Sequence, residues 1–294
     1  MDSAPQLSNG PPVLPPGVQP LGAWPPAARQ QLTGVFTDID DTLTTHGAIT
    51  PDALQALADL KAAGLYVIAI TGRPIGWCER FIRGDSTLGT PPWPVDAMVA
   101  ENGAVAWVPK PATDESQSDW HKVYQQDAAT RARNRARMRA VAQRIMREVP
   151  EAQITRDSDG RETDLAFDAA EFASLSADQI ARVVSVMQAE GMHTTVSSIH
   201  IHGCFGLFNK WQGARWIAQT LWGINLQAEQ ARWAFAGDSG NDVAMFAHFE
   251  HSVGVANLLP IAHRLSHLPR YIAPSERGAG FAEVATAILQ TRQP

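Results

Sequence analysis

Cysteine is scarce in this 294-residue chain: there are two, Cys78 and Cys204. Thiols so far apart form neither the framework of a small secreted domain nor the paired spacing of a zinc or redox site. A reducing compartment is therefore expected, with both thiols packed as small apolar groups. Long apolar runs are missing too. No stretch of about eighteen apolar residues occurs, and the first residues show no basic block followed by an apolar one. Neither a membrane span nor a secretory signal is expected, and a cytoplasmic protein is. Charge of one sign is also in short supply. The chain has 24 Lys and Arg against 30 Asp and Glu, a formal net charge of -6, which offers no general attraction to nucleic acid or to an anionic membrane.

What is abundant at the start is proline. Pro5, Pro11, Pro12, Pro15, Pro16, Pro20, Pro25 and Pro26 crowd residues 1–30, removing backbone donors and blocking helix and central strand alike. A disordered tail is expected there. From Thr33 short apolar runs alternate with amphipathic helices: strand at Val35–Ile39, helix at Asp52–Ala63, strand at Tyr66–Ile70, then Val95–Ala100, with Ala104–Val108 returning after the turn at Asn102 and Gly103. That alternation predicts an α/β doubly wound parallel sheet. Residues 112–203 have another texture: helix (Asp127–Val149), two strands, helix (Ala177–Glu190), two strands. This order implies a small antiparallel sheet covered by helices on one face, an α+β cap domain inserted into the core. Core texture resumes with a helix at Lys210–Leu221 and a strand at Trp233–Ala236. The expected organisation is a tail over 1–30, a core domain built from 31–111 and 204–294, and the cap.

The chemistry-bearing residues fall at predicted element ends. The first strand runs into Asp38, Ile39, Asp40, Asp41 and Thr42, and the second into Thr71, Gly72 and Arg73. The strand at Trp233–Ala236 runs into Gly237, Asp238, Ser239, Gly240, Asn241 and Asp242. The carboxyl ends of parallel strands are where open sheets of this class bind ligands. Lys210 opens a helix, where a cation is unfavourable against the helix dipole unless an anion lies nearby. Each feature alone has an ordinary reading as a cap, a turn or a surface residue; the four together in this order do not.

DIDDT at Asp38–Thr42, TGR at Thr71–Arg73, Lys210, and GDSGND at Gly237–Asp242 resemble the four motifs of the haloacid dehalogenase superfamily. ENGA at Glu101–Ala104 and the cap of two helix-strand-strand units resemble its Cof-type branch, which includes sucrose, trehalose and mannosylglycerate phosphatases and also phosphomannomutases. The resemblance implies a Rossmann-like core. It implies Asp38 as nucleophile forming an aspartyl phosphate, Asp40 as general acid and base, and Thr71, Gly72, Lys210 and Asn241 as phosphate ligands. It further implies Mg²⁺ held through Asp38, Asp40 (by its backbone carbonyl) and Asp238, with Asp242 ordering metal waters or Lys210. The implied function is a Mg²⁺-dependent phosphomonoester hydrolase for a sugar phosphate or a related small phosphorylated metabolite. A mutase of phosphomannomutase type stays open as an alternative.

On the cap, Leu165, Phe167, Ile199 and Ile201 alternate with Asp164, Ala166, Asp168, His200 and His202. One sheet face is thus expected to pack under the helices and the other to look toward the core. Arg161, Asp164, His200 and His202, with Arg73 and Asn102 on the core, are candidates for gripping the substrate. The cap helix carries Arg131, Arg133, Arg135, Arg137, Arg139, Arg144 and Arg147. They flank and oppose a stripe of Met138, Val141, Ala142, Ile145 and Val149, as in an amphipathic helix with a solvated basic face. An RNA-binding helix is the competing reading, but no aromatic residues interleave the charges. Neither a nucleic acid nor a membrane is expected as a partner.

Overall fold

The computed structural model describes residues 14–87, 89–110 and 120–292. Its strands are β1 (Gln19–Pro20), β2 (Gly34–Thr37), β3 (Thr44–Thr45), β4 (Ala48–Ile49), β5 (Tyr66–Ile70), β6 (Ala97–Ala100), β7 (Val105–Pro109), β8 (Trp120–Tyr124), β9 (Gln153–Ile154), β10 (Asp164–Asp168), β11 (His193–Val196), β12 (His200–Cys204), β13 (Trp233–Gly237), β14 (His251–Gly254) and β15 (Tyr271–Ile272). Its helices are α1 (Pro26–Gln30), α2 (Pro51–Ala62), α3 (Ile75–Arg83), α4 (Ala128–Glu148), α5 (Ala177–Ala189), α6 (Lys210–Trp222), α7 (Val243–His248) and α8 (Arg277–Leu289).

The larger sheet has the order β1-β15-β14-β13-β2-β5-β6-β7-β8. It is parallel from β1 to β6, with β7 and β8 added antiparallel at one edge. Val35 and Phe36 are neighbours in β2 yet belong to different hydrophobic clusters, because successive side chains leave opposite faces. Val35 packs with Leu57 and Leu60 of α2 and Phe281 and Val284 of α8, whereas Phe36 packs with Trp211 and Ile217 of α6 and Met245 of α7. The chain steps from β2 to β5 and β6 in one direction, and from β13 to β14 and β15 in the other. The crevice between β2 and β13 is thus the point where strand order reverses, the usual place for a ligand in an open parallel sheet.

The second sheet, β11-β12-β10-β9, is antiparallel, and α4 and α5 cover one face. Leu165, Phe167 and Ile201 face the helices there, against Val141, Ile145, Val183 and Met187. β9 and β10 flank the turn at Asp157–Gly160 in antiparallel register, with Ile154 opposite Phe167. Among the described residues no helix is long and apolar enough to cross a membrane.

Four features differ from expectation. Residues 14–30 are not a tail: β1 pairs in parallel with β15, and Trp24 is fully buried. Trp24 stacks on Tyr271 at 5.5 Å between ring centroids and meets the tilted ring of His251 at 5.6 Å. Proline is compatible with an edge strand, and Pro26 opens α1 at a position whose N–H would go unpaired anyway. The expectation for residues 1–13 lies outside the described residues. Residues 120–124, assigned to the cap, instead form the outermost strand of the core sheet, paired with β7. Ile199 does not join the apolar cap face: the chain bends at Ser197–Ile199 and turns it toward the core. Helices α3 and α8 had no counterpart in the sequence reading; both bury their apolar sides in the first core cluster.

Trp24→Ala is expected to lower stability by about 3–5 kcal/mol, as for a large buried side chain, measured by urea unfolding. A loss under about 1 kcal/mol would return the segment to the status of a loose tail.

Candidate active site

β2 ends at Thr37, and Asp38 follows it into the crevice, buried. Its Oδ1 accepts a 2.5 Å hydrogen bond from Lys210 Nζ, which also donates to Asp242 Oδ1 at 2.6 Å. Lys210 is the first residue of α6 and is 0% exposed. The cation that looked misplaced against the helix dipole is held by two carboxylates. The other oxygen of Asp242 accepts from the backbone N–H groups of Asp238 and Ser239, at 2.9 and 3.0 Å. Both Asp242 oxygens are thereby engaged, and the turn after β13 is fixed.

Asp38, Asp238 and Asp242 bring carboxylate oxygens within 4.8 Å of one another. Asp238 Oδ2 accepts from Asn257 Nδ2 at 3.0 Å, while its Oδ1 is buried without a partner. An unpaired buried carboxylate oxygen is costly unless a cation meets it, and a set of carboxylate oxygens suits a hard divalent ion such as Mg²⁺. The residues fit such an ion. Burial pushes the Asp38 carboxyl up to about 7; Lys210 opposes that, and Asp242 and Asp40 add to it. Burial, then Asp38 and Asp242, push Asp238 well above the ordinary carboxylate range. Lys210 is driven up by Asp242 and Asp38 against its burial, so its ammonium stays charged.

The loop carrying these groups is tied from behind. Asp41 has φ 55° and accepts a 2.9 Å bond from Arg277 Nε, and its carbonyl accepts from Asn257 Nδ2 at 3.0 Å. Asp40, one residue earlier, turns its carboxylate to the Arg73 guanidinium at 2.9–3.1 Å.

A small cavity of about 10 Å³ lies between core and cap. Asp38, Asp40, Thr71, Gly72, Arg73, Ser239 and Asn241 line it from below, and Ser197, Ser198, Ile199, His200 and His202 from above. Three other sequence-nominated residues stand back from it. Asn102 accepts from Asn241 Nδ2 at 3.1 Å and so supports a lining residue. Arg161 and Asp164 form a buried pair at 2.9 and 3.0 Å, and Arg161 Nη1 also donates to Gly72 O at 3.0 Å. His202 Nδ1 meets Asp164 at 3.1 Å, and His200 Nε2 meets Glu171 at 2.8 Å.

A model of haloacid dehalogenase-like hydrolases matches residues 35–131. The match runs from β2 to the first turn of α4. The fold agrees. A Thermoplasma acidophilum protein superposes with a TM-score of 0.65 at 14% identity, covering 88% of this chain and 98% of that one. The sucrose-phosphatase from Synechocystis, solved with sucrose and phosphate, gives 0.60 at 18%, covering 88% and 98%. A trehalose-6-phosphate phosphatase related protein gives 0.54 at 16%, covering 88% and 96%. No curated protein matches the chain in sequence.

The sequence did not point to the groups that join cap to core. Glu101 sits in the ENGA segment but had no role assigned. Its carboxylate reaches across to the cap and accepts from the backbone N–H groups of Glu162, Thr163 and Asp164, and from that of Ile75 in the core. Burial and the nearby Asp164 push Glu101 up to about 7 despite these donors. Asp157, Glu171 and Asn257 were also missed. They lie in short polar stretches without periodicity, and nothing in their local sequence signals the long-range partner.

Burial lowers His202 to about 4, outweighing the pull of Asp164. The unfolded chain therefore binds a proton at this residue below pH 6.5 that the folded chain refuses until about 4. His202 contributes stability above 6.5 that is lost as pH falls through that window. Relative to pH 7.5, unfolding at pH 4.5 is expected to cost about 2 kcal/mol less because of this residue. His202→Gln should shrink the pH-dependent loss by that amount in urea titrations, and an unchanged loss would mean that His202 is already charged in the fold.

Proposed function

We propose that the chain is a Mg²⁺-dependent phosphomonoester hydrolase that forms an aspartyl phosphate on Asp38, with a sugar phosphate or similar small phosphorylated metabolite as substrate. The observation that carries the reading is the convergence of Asp38, Lys210 and the unpartnered Asp238 oxygen at the strand-order switch, with Asp38 and Asp40 both lining the cavity above. Three buried carboxylates cluster there, and one ammonium pairs with two of them, Asp38 and Asp242. A phosphate dianion is repelled unless further positive charge is supplied.

Asp38, Asp238 and the backbone at Asp40 would hold Mg²⁺, which supplies charge neutralisation for the entering phosphate. Lys210 fixes the Asp38 carboxylate and offers positive charge to the transferring oxygens. In the first step an oxygen of Asp38 forms a bond to phosphorus while the ester P–O bond breaks, and Asp40 gives its proton to the leaving oxygen. In the second, Asp40 takes a proton from water as the water oxygen bonds to phosphorus. The Asp38–phosphorus bond then breaks and inorganic phosphate leaves. The hydroxyl of Thr71 and the amide of Asn241 line the same cavity and would hold phosphate oxygens. His200, His202 and Ser197–Ile199 form its roof and would meet the organic part. The sucrose-phosphatase of similar fold supports a polyhydroxylated leaving group.

Asp38→Asn should remove phosphate release, by more than roughly 10⁴-fold, without loss of cooperative unfolding, since the amide is nearly isosteric but a poor nucleophile. Parent-like release from the purified variant would refute the nucleophile. Chelation should abolish turnover of a panel of phosphorylated sugars, and added Mg²⁺ should restore it. Full turnover in metal-free buffer would refute the metal requirement, and conversion without free phosphate would mark a mutase.

A further inference from the structure

Asn257 lies in the short helical segment Ala256–Arg264 after β14 and does not line the cavity between core and cap. Its carboxamide is nevertheless fully engaged. Nδ2 donates to the Asp41 carbonyl and to Asp238 Oδ2, both at 3.0 Å, and Oδ1 accepts from the Arg277 N–H at 2.9 Å. A backbone N–H can only donate, and a carbonyl or a carboxylate can only accept, so the amide has one workable orientation. Its NH2 group must face Asp238. The frame that holds it is stiff: Asp41 and Arg277 both have left-handed backbones, with φ of 55° and 54°, and Arg277 Nε donates to Asp41 Oδ1 at 2.9 Å. Non-glycine residues keep such conformations where surrounding contacts hold them.

Most carboxylate oxygens of the cluster formed by Asp38, Asp238 and Asp242 are taken by donors of the protein itself. Lys210 holds Oδ1 of Asp38 and Oδ1 of Asp242, the backbone N–H groups of Asp238 and Ser239 hold Oδ2 of Asp242, and Asn257 holds Oδ2 of Asp238. What Asp238 has left is Oδ1, buried and without a partner. A Mg²⁺ site needs few carboxylate oxygens, since this small ion keeps several waters in a near-ideal octahedron, whereas Ca²⁺ gathers about six to eight oxygens and accepts both oxygens of one carboxylate. We infer that Asn257 is a positioning residue that sets the choice of cation: by occupying Oδ2 it limits Asp238 to a single ligand oxygen and so favours Mg²⁺ over Ca²⁺. The inference rests on the metal-dependent reading of the site. Loss of the amide frees a second oxygen, which suits the larger ion and not the smaller.

Calorimetric titration of the metal-free protein with Mg²⁺ and with Ca²⁺, in the absence of substrate, reads the choice directly. In Asn257→Ala, Mg²⁺ binding is expected to weaken by roughly 10-fold or more, as when a group that orients a metal ligand is lost. Ca²⁺ binding should change by under about 3-fold, because the freed oxygen offsets the lost anchorage. Equal weakening for both ions, or no change for either, overturns the inference, as does a parent that binds Ca²⁺ at least as tightly as Mg²⁺. Arg277→Gln serves as the comparison for general loosening: it removes the tie to Asp41 and keeps the backbone N–H that orients Asn257. Its preference between the two ions should stay within about 2-fold of the parent's, and a shift as large as that of Asn257→Ala would assign the effect to the loop and overturn the role of the amide. Asn257→Leu, close in size to asparagine, takes the place of the alanine variant under the same criteria if the latter does not unfold cooperatively. A parent that binds Mg²⁺ but releases phosphate from no phosphorylated sugar refutes the phosphatase reading, and the titrations still decide the role of Asn257. A parent that binds neither ion refutes the metal site and this inference with it.

Discussion

The ammonium of Lys210, sealed from solvent between Asp38 and Asp242, is the interaction on which the rest of the site depends. A buried cation is tolerated only with full pairing, and here the pairing joins three segments distant in sequence: the end of β2, the start of α6 and the turn after β13. Removing either carboxylate would leave the ammonium one charged partner and loosen the tie to one of those segments. The approach of α6 is fixed in turn by backbone contact. A Cβ on Gly213 would lie 2.4 Å from Gly103 Cα, so the helix can sit on the 101–103 turn only because both positions are glycine. That turn carries Glu101 and Asn102, so one helix docking sets Lys210 below the site and the supporting polar groups beside it.

The cap is attached to the core by a different kind of force. Its own hydrophobic cluster is internal, whereas the groups facing the core are carboxylates, guanidinium groups and imidazoles: Arg73 with Asp157 and Glu171, Arg161 with the Gly72 carbonyl, Glu101 with backbone amides. Polar contacts that exchange for water lose little net free energy when broken, so the two parts are held by geometry and charge and not by a buried apolar seam.

Much of this was legible in the sequence, for identifiable reasons. Strands such as Tyr66–Ile70 are short apolar runs bounded by turn residues, and the carboxylates of the candidate site sit where those runs end, so position along the chain nearly equals position on the rim. Helix α4 announced itself through a 3.6-residue stripe. What stayed hidden depends on contacts that have no period. Trp24 was masked by the density of prolines around it, although one large aromatic suffices to dock the segment. Ile199 was assigned to the wrong side because strict alternation was assumed through a bend. The partners of Arg73 lie 84 and 98 residues away in chain order, and no local pattern encodes such a pairing.

The pairing of β1 with β15 has a consequence for how the molecule is made. The strand nearest the start of the described chain completes the sheet edge against one of the last to be synthesised, beyond β13 and β14. On a ribosome adding roughly 5–20 residues per second, Gln19 and Pro20 emerge tens of seconds before Tyr271 and Ile272 exist to receive them. During that interval Trp24 has no site to occupy. The proline-rich segment must stay extended and uncommitted, and proline, which blocks premature helix and sheet alike, suits a strand that has to wait for its partner.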